Sequence, residues 1–184
     1  NNTTRSTNII YQDGIPVKSG SLNKRYLGTI RSINTSQAED SLSRRFVYNV
    51  NNQIFKTIQS SDSTSHTYSL STIRPYRNIT TVGSTRTELV TGLNNKIYNT
   101  NCLADFATES NSSSVGLSLD STTTIDSNAI NTTYINFGSE SRRMKSYAID
   151  HINLIPGYHY VQLCQSGSSV TTFYSASMKA LVLC

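Results

Sequence analysis

The sequence predicts an all-β fold, an antiparallel β-sandwich of jelly-roll type with one short helix. Two observations support this class: apolar and polar residues alternate over short runs, and turn-forming residues separate these runs at a spacing of about ten residues. The many short strands that result are typical of a sandwich or a jelly roll. No repeat of about 20–50 residues is visible, which disfavours a solenoid or a propeller.

The composition indicates one folded domain that spans residues 1–184. Hydrophobic residues make up 36% and charged residues 15% of the chain, and Ser, Thr and Asn fill the difference. Disordered chains combine few aromatic residues with high charge, so the 11 Tyr and 5 Phe favour a folded protein with a polar, uncharged surface. The chain begins at Asn1 and not at Met, so we expect a fragment of a longer protein.

The first strands are predicted from apolar runs that turn residues separate. They are expected over residues 7–11, 15–17 and 25–33, with turns at Asp13-Gly14 and Ser19-Gly20. One helix is expected over Ala38–Arg45, because Ser36 and Glu39 have the spacing of a capping box. A longer helix that continues to residue 53 is disfavoured by its β-branched and Asn residues.

The remainder of the chain is predicted to consist of strands and loops. A polar loop is expected over residues 60–65, and Asn94-Asn95 is expected to form a hairpin turn that pairs the strands on either side. Residues 152–155 lead into a turn at Pro156-Gly157, and the strands are expected over residues 46–50, 54–58, 67–76, 85–93, 96–106, 115–119, 132–137, 142–149, 158–165, 171–174 and 178–184.

The cysteine pattern favours buried free thiols. Cys102, Cys164 and Cys184 are an odd number without a close pair, which disfavours a disulfide framework and a zinc site. All three lie in apolar runs, where a thiol behaves as a small apolar side chain. A disulfide between Cys164 and Cys184 is the less favoured alternative. No apolar run approaches about 20 residues, so no membrane-spanning helix is predicted.

No catalytic arrangement appears in the sequence, so we predict that the protein is not an enzyme and uses no cofactor. His151 and His159 could bind a metal together with Asp150, but two ordinary histidines beside a turn are favoured. A glycosidase needs two facing carboxyl groups about 5–10 Å apart. Asp120 and Asp126 are candidates for such a pair, but they lie in a connector rich in Ser and Thr.

The net charge of +5 indicates a slightly basic surface and not a nucleic-acid-binding one. The basic residues form two small clusters, without the interleaved aromatic residues of a single-strand binding platform. The clusters are Lys24, Arg25, Arg31, Arg44 and Arg45, and Arg142, Arg143 and Lys145.

Several motifs resemble a domain that recurs in bacteriophage and other viral particle proteins. They are Tyr11-Gln12-Asp13-Gly14, Val17-Lys18-Ser19-Gly20, Arg25-Tyr26-Leu27-Gly28-Thr29, Glu39-Asp40-Ser41 and Arg45-Phe46-Val47-Tyr48-Asn49. Further similarity occurs at residues 115–121 and 156–160, so that the order of motifs is kept over most of residues 8–165. The chain departs from the family where Tyr48-Asn49 replaces the usual Trp-Asn, and where Val50-Asn51-Asn52 replaces Tyr-Asn-Arg.

The resemblance implies a virion structural protein, in which this chain is the C-terminal β-sandwich domain of a fibre, spike, tail or capsid-decoration protein. Its expected location is the virus particle. Its expected partners are two further copies in a homotrimer, other virion proteins and, as an option, a host-surface glycan. No nucleic acid and no membrane insertion are expected.

Physical arguments also favour an oligomer. The apolar fraction is modest, and a sandwich leaves edge strands that must be covered. We expect an ion network within or between chains, which would specify the register of assembly more than it adds stability. Its members are Arg25, Arg31, Glu39, Asp40, Arg44 and Arg45.

Two other functions remain open at this point. A carbohydrate-binding module without catalysis is the main alternative, because Tyr rings suit stacking on sugars. A glycan hydrolase that uses Asp120 and Asp126 is the third.

Overall fold

The computed structural model describes most of the chain. The described residues are 7–34, 37–93, 96–108, 113–125, 132–134, 142–148, 152–167 and 170–183. Within them the only helix is a 3-10 turn, η1, and every other element is a β-strand. No helix in this part of the chain is long and apolar enough to cross a membrane.

The strands fall into an N-terminal group and a main group. The N-terminal group is β1 (Ile9–Gln12), β2 (Ile15–Lys18), β3 (Ser21–Arg25), β4 (Gly28–Ile30), β5 (Ser32–Asn34), β6 (Gln37–Ala38), β7 (Arg44–Arg45) and β8 (Val47–Asn49). The main group is β9 (Phe55–Asp62), β10 (His66–Tyr68), β11 (Arg74–Pro75), η1 (Tyr76–Asn78), β12 (Arg86–Thr91), β13 (Lys96–Thr108), β14 (Ser113–Leu119), β15 (Thr132–Tyr134), β16 (Arg142–Ala148), β17 (Ile152–Asn153), β18 (Gly157–Ser166) and β19 (Thr171–Leu183).

The main group forms two sheets. The first sheet has the order β10-β19-β13-β16, with β9 also paired to β19 and β17 to β13. The second sheet has the order β15-β14-β18-β12-β7, with β11 also paired to β18. All these pairs are antiparallel except β7 with β12.

The chain passes repeatedly from one sheet to the other. Taking β9 and β10 as one strand, the eight main strands are β9/β10, β12, β13, β14, β15, β16, β18 and β19. The first sheet then has the order first, eighth, third, sixth, and the second has fifth, fourth, seventh, second. Only the fourth and fifth strands are neighbours both in sequence and in a sheet. Most strands that are consecutive in the chain therefore lie in opposite sheets, so neither sheet is built from one continuous stretch of sequence.

Both sheets contribute to one hydrophobic core. Leu89 and Leu163 of the second sheet belong to the same buried cluster as Phe173 and Met178 of the first. Two antiparallel sheets that share a core form a β-sandwich. The structure thus confirms the predicted all-β antiparallel class.

Apart from β7, which joins the second sheet, the N-terminal strands lie outside this sandwich. β1, β2 and β3 form a three-stranded antiparallel sheet, and β4 pairs with β8 in a two-stranded ribbon. Phe46 and Tyr48 of the segment that includes β8 form a second small buried cluster with Val90 of β12. The side chain of Val90 points away from the main core, because its neighbour Leu89 points into it. The ribbon therefore packs on the outer face of the second sheet.

The predicted helix over Ala38–Arg45 is wrong. Residue 38 ends β6, residues 44–45 form β7, and Asp40 forms an isolated antiparallel bridge with Arg45. The backbone N–H of Glu88 on β12 donates to the Ser43 carbonyl (2.9 Å). That of Gln59 on β9 donates to the Leu42 carbonyl (2.7 Å). Tertiary pairing of this backbone outweighs a helix propensity that is weak over two turns.

The capping-box reading of Glu39 is also wrong. Ser36 lies outside the described residues, and the Glu39 carboxylate accepts hydrogen bonds from the Ser41 hydroxyl and from Arg44. The carboxylate therefore stabilises a turn between strands and does not cap the start of a helix.

Three strand predictions differ from the structure. The expected polar loop at 60–65 begins as strand, since β9 continues to Asp62 along β19. The two expected strands at 171–174 and 178–184 are one strand, β19, which ends at Leu183. β12 and β13 do not pair as a hairpin, because each finds its partners in a different sheet.

Candidate functional site

Four of the predicted network residues lie together beside β7. Arg44 Nη1 lies 2.9 Å from Glu39 Oε2, and Arg45 Nη1 lies 3.1 Å from Asp40 Oδ1. Lys56 on β9, which the sequence did not suggest, binds the other oxygen of Asp40 at 2.5 Å. The first two ion pairs lie within the turn at residues 39–45, and the Lys56 pair joins that turn to the sandwich.

The network holds both acids in their charged form. Hydrogen bonds from Ser41 and Arg44 lower the pKa of Glu39. Partial burial opposes ionisation of Asp40, but hydrogen bonds from Lys56 and Arg45 outweigh it and lower the pKa of that carboxyl. The Arg45 guanidinium also donates to the Thr57 carbonyl from Nε (3.2 Å) and Nη2 (2.8 Å).

The sequence did not suggest Glu88 and Tyr158, which extend this network along the outer face of the second sheet. Glu88 Oε2 accepts from Arg44 Nε (3.1 Å), and Glu88 Oε1 accepts from the Tyr158 hydroxyl (2.7 Å). Burial and the neighbouring Glu88 raise the pKa of Tyr158 to about 12. Glu88 and Tyr158 lie far apart in sequence, and only the pairing of β12 with β18 brings them together.

Arg31 belongs to this outer face but forms no ion pair with the described residues. Its guanidinium carbon lies 3.4 Å from the centre of the Tyr158 ring and 5.3 Å from that of Phe46. A guanidinium stacked on aromatic faces in this way is stabilised by the ring quadrupoles. The predicted network therefore includes Arg31 through its packing and not through a carboxylate.

Arg25 lies elsewhere. It lines a pocket of about 220 Å³ at one end of the three-stranded sheet, together with Lys18, Lys24 and Tyr26. No contact in the described part of the chain joins Arg25 to the acids of the network. The structure thus groups Glu39, Asp40, Arg44 and Arg45, adds Lys56 and Glu88, and leaves Arg25 apart.

Exposed apolar side chains concentrate near the N-terminus. Of fifteen large hydrophobic residues that are exposed in the described chain, ten lie between residues 10 and 55. We call these ten the N-terminal apolar surface: Ile10, Tyr11, Ile15, Leu22, Leu27, Ile30, Ile33, Leu42, Ile54 and Phe55. Leu27 is 66% and Ile30 is 70% exposed, so most of each side chain remains in contact with water. Exposed apolar side chains that form a contiguous patch are typical of an interaction site.

A second pocket is lined mainly by hydroxyl groups. This groove has a volume of about 410 Å³ and lies between the turn at 41–43, strand β9 and Gly83. Ser60 is one of its lining residues, and its buried hydroxyl oxygen has no hydrogen-bond partner in the structure. Three further serines line it, Ser41, Ser43 and Ser61. The groove offers hydrogen bonds without charge.

The histidine and carboxylate candidates do not assemble a catalytic or metal site in the described residues. His159 binds Asp120 at 2.6 Å through Nδ1, and Asp126, His151 and Asp150 lie outside the described residues. No group of three metal-ligating side chains occurs in the described part of the chain. The Asp120 carboxylate also accepts from the Tyr160 backbone N–H (2.9 Å), so its contacts are those of a strand-end turn.

Comparison with known proteins adds little to this picture. No protein-family model matches the chain, and no curated protein matches it. Among solved structures, the chain is similar to the dimeric latent PorU of Porphyromonas gingivalis, with a TM-score of 0.42 and 6% identity. The match covers 87% of this chain and 14% of that protein. A likeness this distant supports no statement about function.

Proposed function

We propose that this chain is a virion structural domain, located on the virus particle, that assembles as a homotrimer. Its polar face would contact a host receptor or neighbouring virion proteins, as in a fibre, spike or capsid-decoration protein. It would be a non-enzymatic domain with jelly-roll connectivity. The interleaved order of its eight main strands supports that connectivity, since jelly rolls consist of eight strands in two sheets.

The observation that carries the proposal is the N-terminal apolar surface. Monomeric soluble proteins rarely concentrate exposed apolar side chains on one region, because association would remove them from water. Ion pairs to Glu88 and Lys56 hold the nearby turn at residues 39–45 to its own sandwich. The turn is therefore anchored within one chain, and neighbouring subunits would cover the exposed side chains of the apolar surface. Three copies packed about an axis would cover it symmetrically.

Light scattering after size exclusion tests the assembly. We expect the wild-type chain to have the mass of a trimer, and a Leu27→Ser/Ile30→Ser variant to shift towards monomer. Both side chains are more than half exposed, so the fold should survive their replacement. The matched control is Leu70→Ser/Ile155→Ser, which removes two equally exposed apolar residues outside the N-terminal apolar surface. A monomeric wild type, or equal dissociation of both variants, would contradict the proposal.

The second candidate function is a carbohydrate-binding module without catalysis. The hydroxyl-lined groove favours it, because Ser61 offers an exposed hydroxyl group, beside Ser41 and Ser43, at a surface lined by uncharged side chains. Neutral glycans could satisfy such a group by hydrogen bonding. An array of neutral glycans should then give binding that Ser43→Tyr abolishes by filling the groove. Ser71→Tyr, at an exposed position that does not line the groove, should leave binding unchanged. Failure to bind any neutral glycan would remove this candidate.

A further inference from the structure

The pocket beside Arg25 owes its shape to an irregularity in the three-stranded sheet. Lys18 of β2 pairs with Ser21 of β3, whereas the preceding Val17 pairs with Arg25. Three residues, Leu22 to Lys24, therefore have no partner on β2 at this point. Irregular pairing of this kind bends a strand and redirects its side chains. The result is a pocket of about 220 Å³ lined by Thr7, Ile9, Lys18, Lys24, Arg25 and Tyr26.

The pocket is positively charged, and no ion pair seen in the described part of the chain neutralises it. Lys18, Lys24 and Arg25 all line it, and all three are exposed. Each described carboxylate that forms an ion pair does so with other cations. Asp13 lies at the opposite end of β1 and β2, beyond the pair Gln12–Ile15, while the pocket lies at the pair Ile9–Lys18. Like charges gathered in a concave surface raise the local concentration of anions.

The wall of the pocket is rigid and partly apolar. The Tyr26 hydroxyl forms a 2.5 Å hydrogen bond with the Thr29 hydroxyl. The Tyr26 ring stacks on Tyr48 with centroids 6.4 Å apart. Tyr48 is fully buried, so it fixes the orientation of Tyr26. An aromatic ring held in place beside cations suits a ligand with an apolar face and an acidic group.

Size and charge together select a class of ligand. A drug-sized ligand needs a pocket of about 300–1,000 Å³, so this smaller pocket suits a single sugar ring. Arg25 can present two parallel N–H groups to a sulfate or carboxylate, and the lysines add point charges. Neutral sugars would leave the three cations without partners.

We propose that this pocket binds the acidic group of an anionic polysaccharide, either a sulfate or a carboxylate. The inference rests on the host-attachment part of the proposed function, because it names the class of host-surface ligand. It does not depend on the trimer, and a monomer that binds such a ligand would leave it intact. It also differs from the neutral-glycan groove in place and in chemistry.

Isothermal titration in about 0.15 M salt tests the pocket with four probes. These are a sulfated heparin hexasaccharide, sialyllactose, neutral maltohexaose and a single-stranded oligothymidylate. Binding of the sulfated probe identifies sulfate as the recognised group, and binding of sialyllactose identifies carboxylate. We expect one or both to bind, and neither maltohexaose nor the oligothymidylate to bind comparably.

Two lysine variants separate the pocket from general surface charge. Lys24→Ala should weaken binding on the order of tenfold, because one charge-assisted contact is lost. Lys179→Ala removes an equally exposed lysine from β19, away from the pocket, and should weaken it less than about twofold. Because both positions are exposed, both variants should melt as the wild type does.

Several results would overturn the inference. They are the absence of binding by both acidic probes, equal effects of Lys24→Ala and Lys179→Ala, or equal affinity for maltohexaose or the oligothymidylate. Light scattering on the same samples separates this failure from that of the assembly. A trimer that binds no acidic sugar overturns the pocket alone, and a monomer that binds one overturns the trimer alone.

Discussion

His159 is a buried side chain whose two ring nitrogens both face acceptors. Nδ1 lies 2.6 Å from Asp120 Oδ2, and Nε2 lies 2.7 Å from the Ile155 carbonyl oxygen. A neutral imidazole has only one N–H, so both bonds form only when the ring is protonated. Burial alone would lower the pKa of His159, but the bonds to Asp120 and Ile155 outweigh it and raise that pKa.

This arrangement predicts a loss of stability at alkaline pH. Because the pKa of His159 is raised in the folded state, its contribution is complete below the ordinary value of 6.5 and is lost as pH rises through the folded pKa. We expect the free energy of unfolding of wild type to exceed that of His159→Gln by about 1 kcal/mol near pH 5.5, and by less near pH 8.5. The difference is small because Asp120 is partly exposed. Denaturant unfolding at both pH values measures the gap.

His66 provides the comparison of opposite sign. Burial lowers the pKa of His66, so its neutral form is favoured in the fold. Its contribution is complete above 6.5 and is lost as pH falls through the folded pKa. The difference in the free energy of unfolding between wild type and His66→Gln should therefore increase as the pH rises. Parallel behaviour of the two variants would contradict the assignment for His159.

At the scale of elements, a close contact between Tyr48 and Gly92 helps to hold the ribbon of β4 and β8 to the sandwich. The Tyr48 ring lies directly on Gly92, which follows β12. A Cβ at position 92 would fall 1.7 Å from Tyr48 Cε1. Only glycine leaves room for the ring, and the same ring supports Tyr26 at the pocket. The position of the N-terminal strands therefore depends on a residue of the second sheet.

Gly92→Ala should displace the ribbon and destabilise the protein by about 1–3 kcal/mol, the usual cost of overpacking. Gly116→Ala is the graded control. Its Cβ would meet the Ile125 side chain at 2.7 Å, and that methyl group can shift more easily than a fully buried ring. Urea unfolding should rank wild type, Gly116→Ala and Gly92→Ala in order of decreasing stability. A larger loss for Gly116→Ala would contradict the anchoring role of Tyr48.

At the scale of the whole molecule, the interleaved strands make the two sheets one cooperative unit. Cys102 on β13 belongs to the first sheet and Cys164 on β18 to the second, and both are buried thiols. Burial raises the pKa of each thiol to about 12, so neither reacts readily in the folded state. The two thiols report on the opening of the two sheets.

Thiol labelling tests this cooperativity. In a Cys184→Ser background, with the other thiol replaced by Ala, we expect Cys102 and Cys164 to react at rates that agree within about twofold. Global unfolding should then limit both rates. The free energy of unfolding of each variant, measured separately, corrects for any loss of stability. A much faster reaction of Cys164 after this correction would indicate local opening near its contact with the Thr122 carbonyl. It would contradict cooperative unfolding of the two sheets.

The class of fold could be predicted from local patterns alone. Alternation over 85–93 places Leu89 inward and Glu88 outward whatever the partner strand is, because side chains alternate along any strand. Turn residues likewise marked Asp13-Gly14, where both residues have positive φ. These features need no knowledge of distant residues.

The candidate sites could be predicted only in part. The charge cluster at residues 39–45 was visible, because its members are close in sequence. We missed Glu88, Tyr158 and Lys56, because contacts that form only in the folded chain join them to that cluster. They lie 12 to 114 residues from Arg44 along the sequence. No local signal marks such partners.

Local patterns were sufficient to predict short amphipathic strands around an apolar core, since alternation and turn chemistry act within a few residues. The order of the strands and the loss of the helix at Ala38–Arg45 became apparent only in the folded chain. The fold also gathers Lys18, Lys24 and Arg25 around one pocket. The physical reason is that backbone pairing between distant strands outweighs weak local propensities, and local sequence does not encode which strands pair.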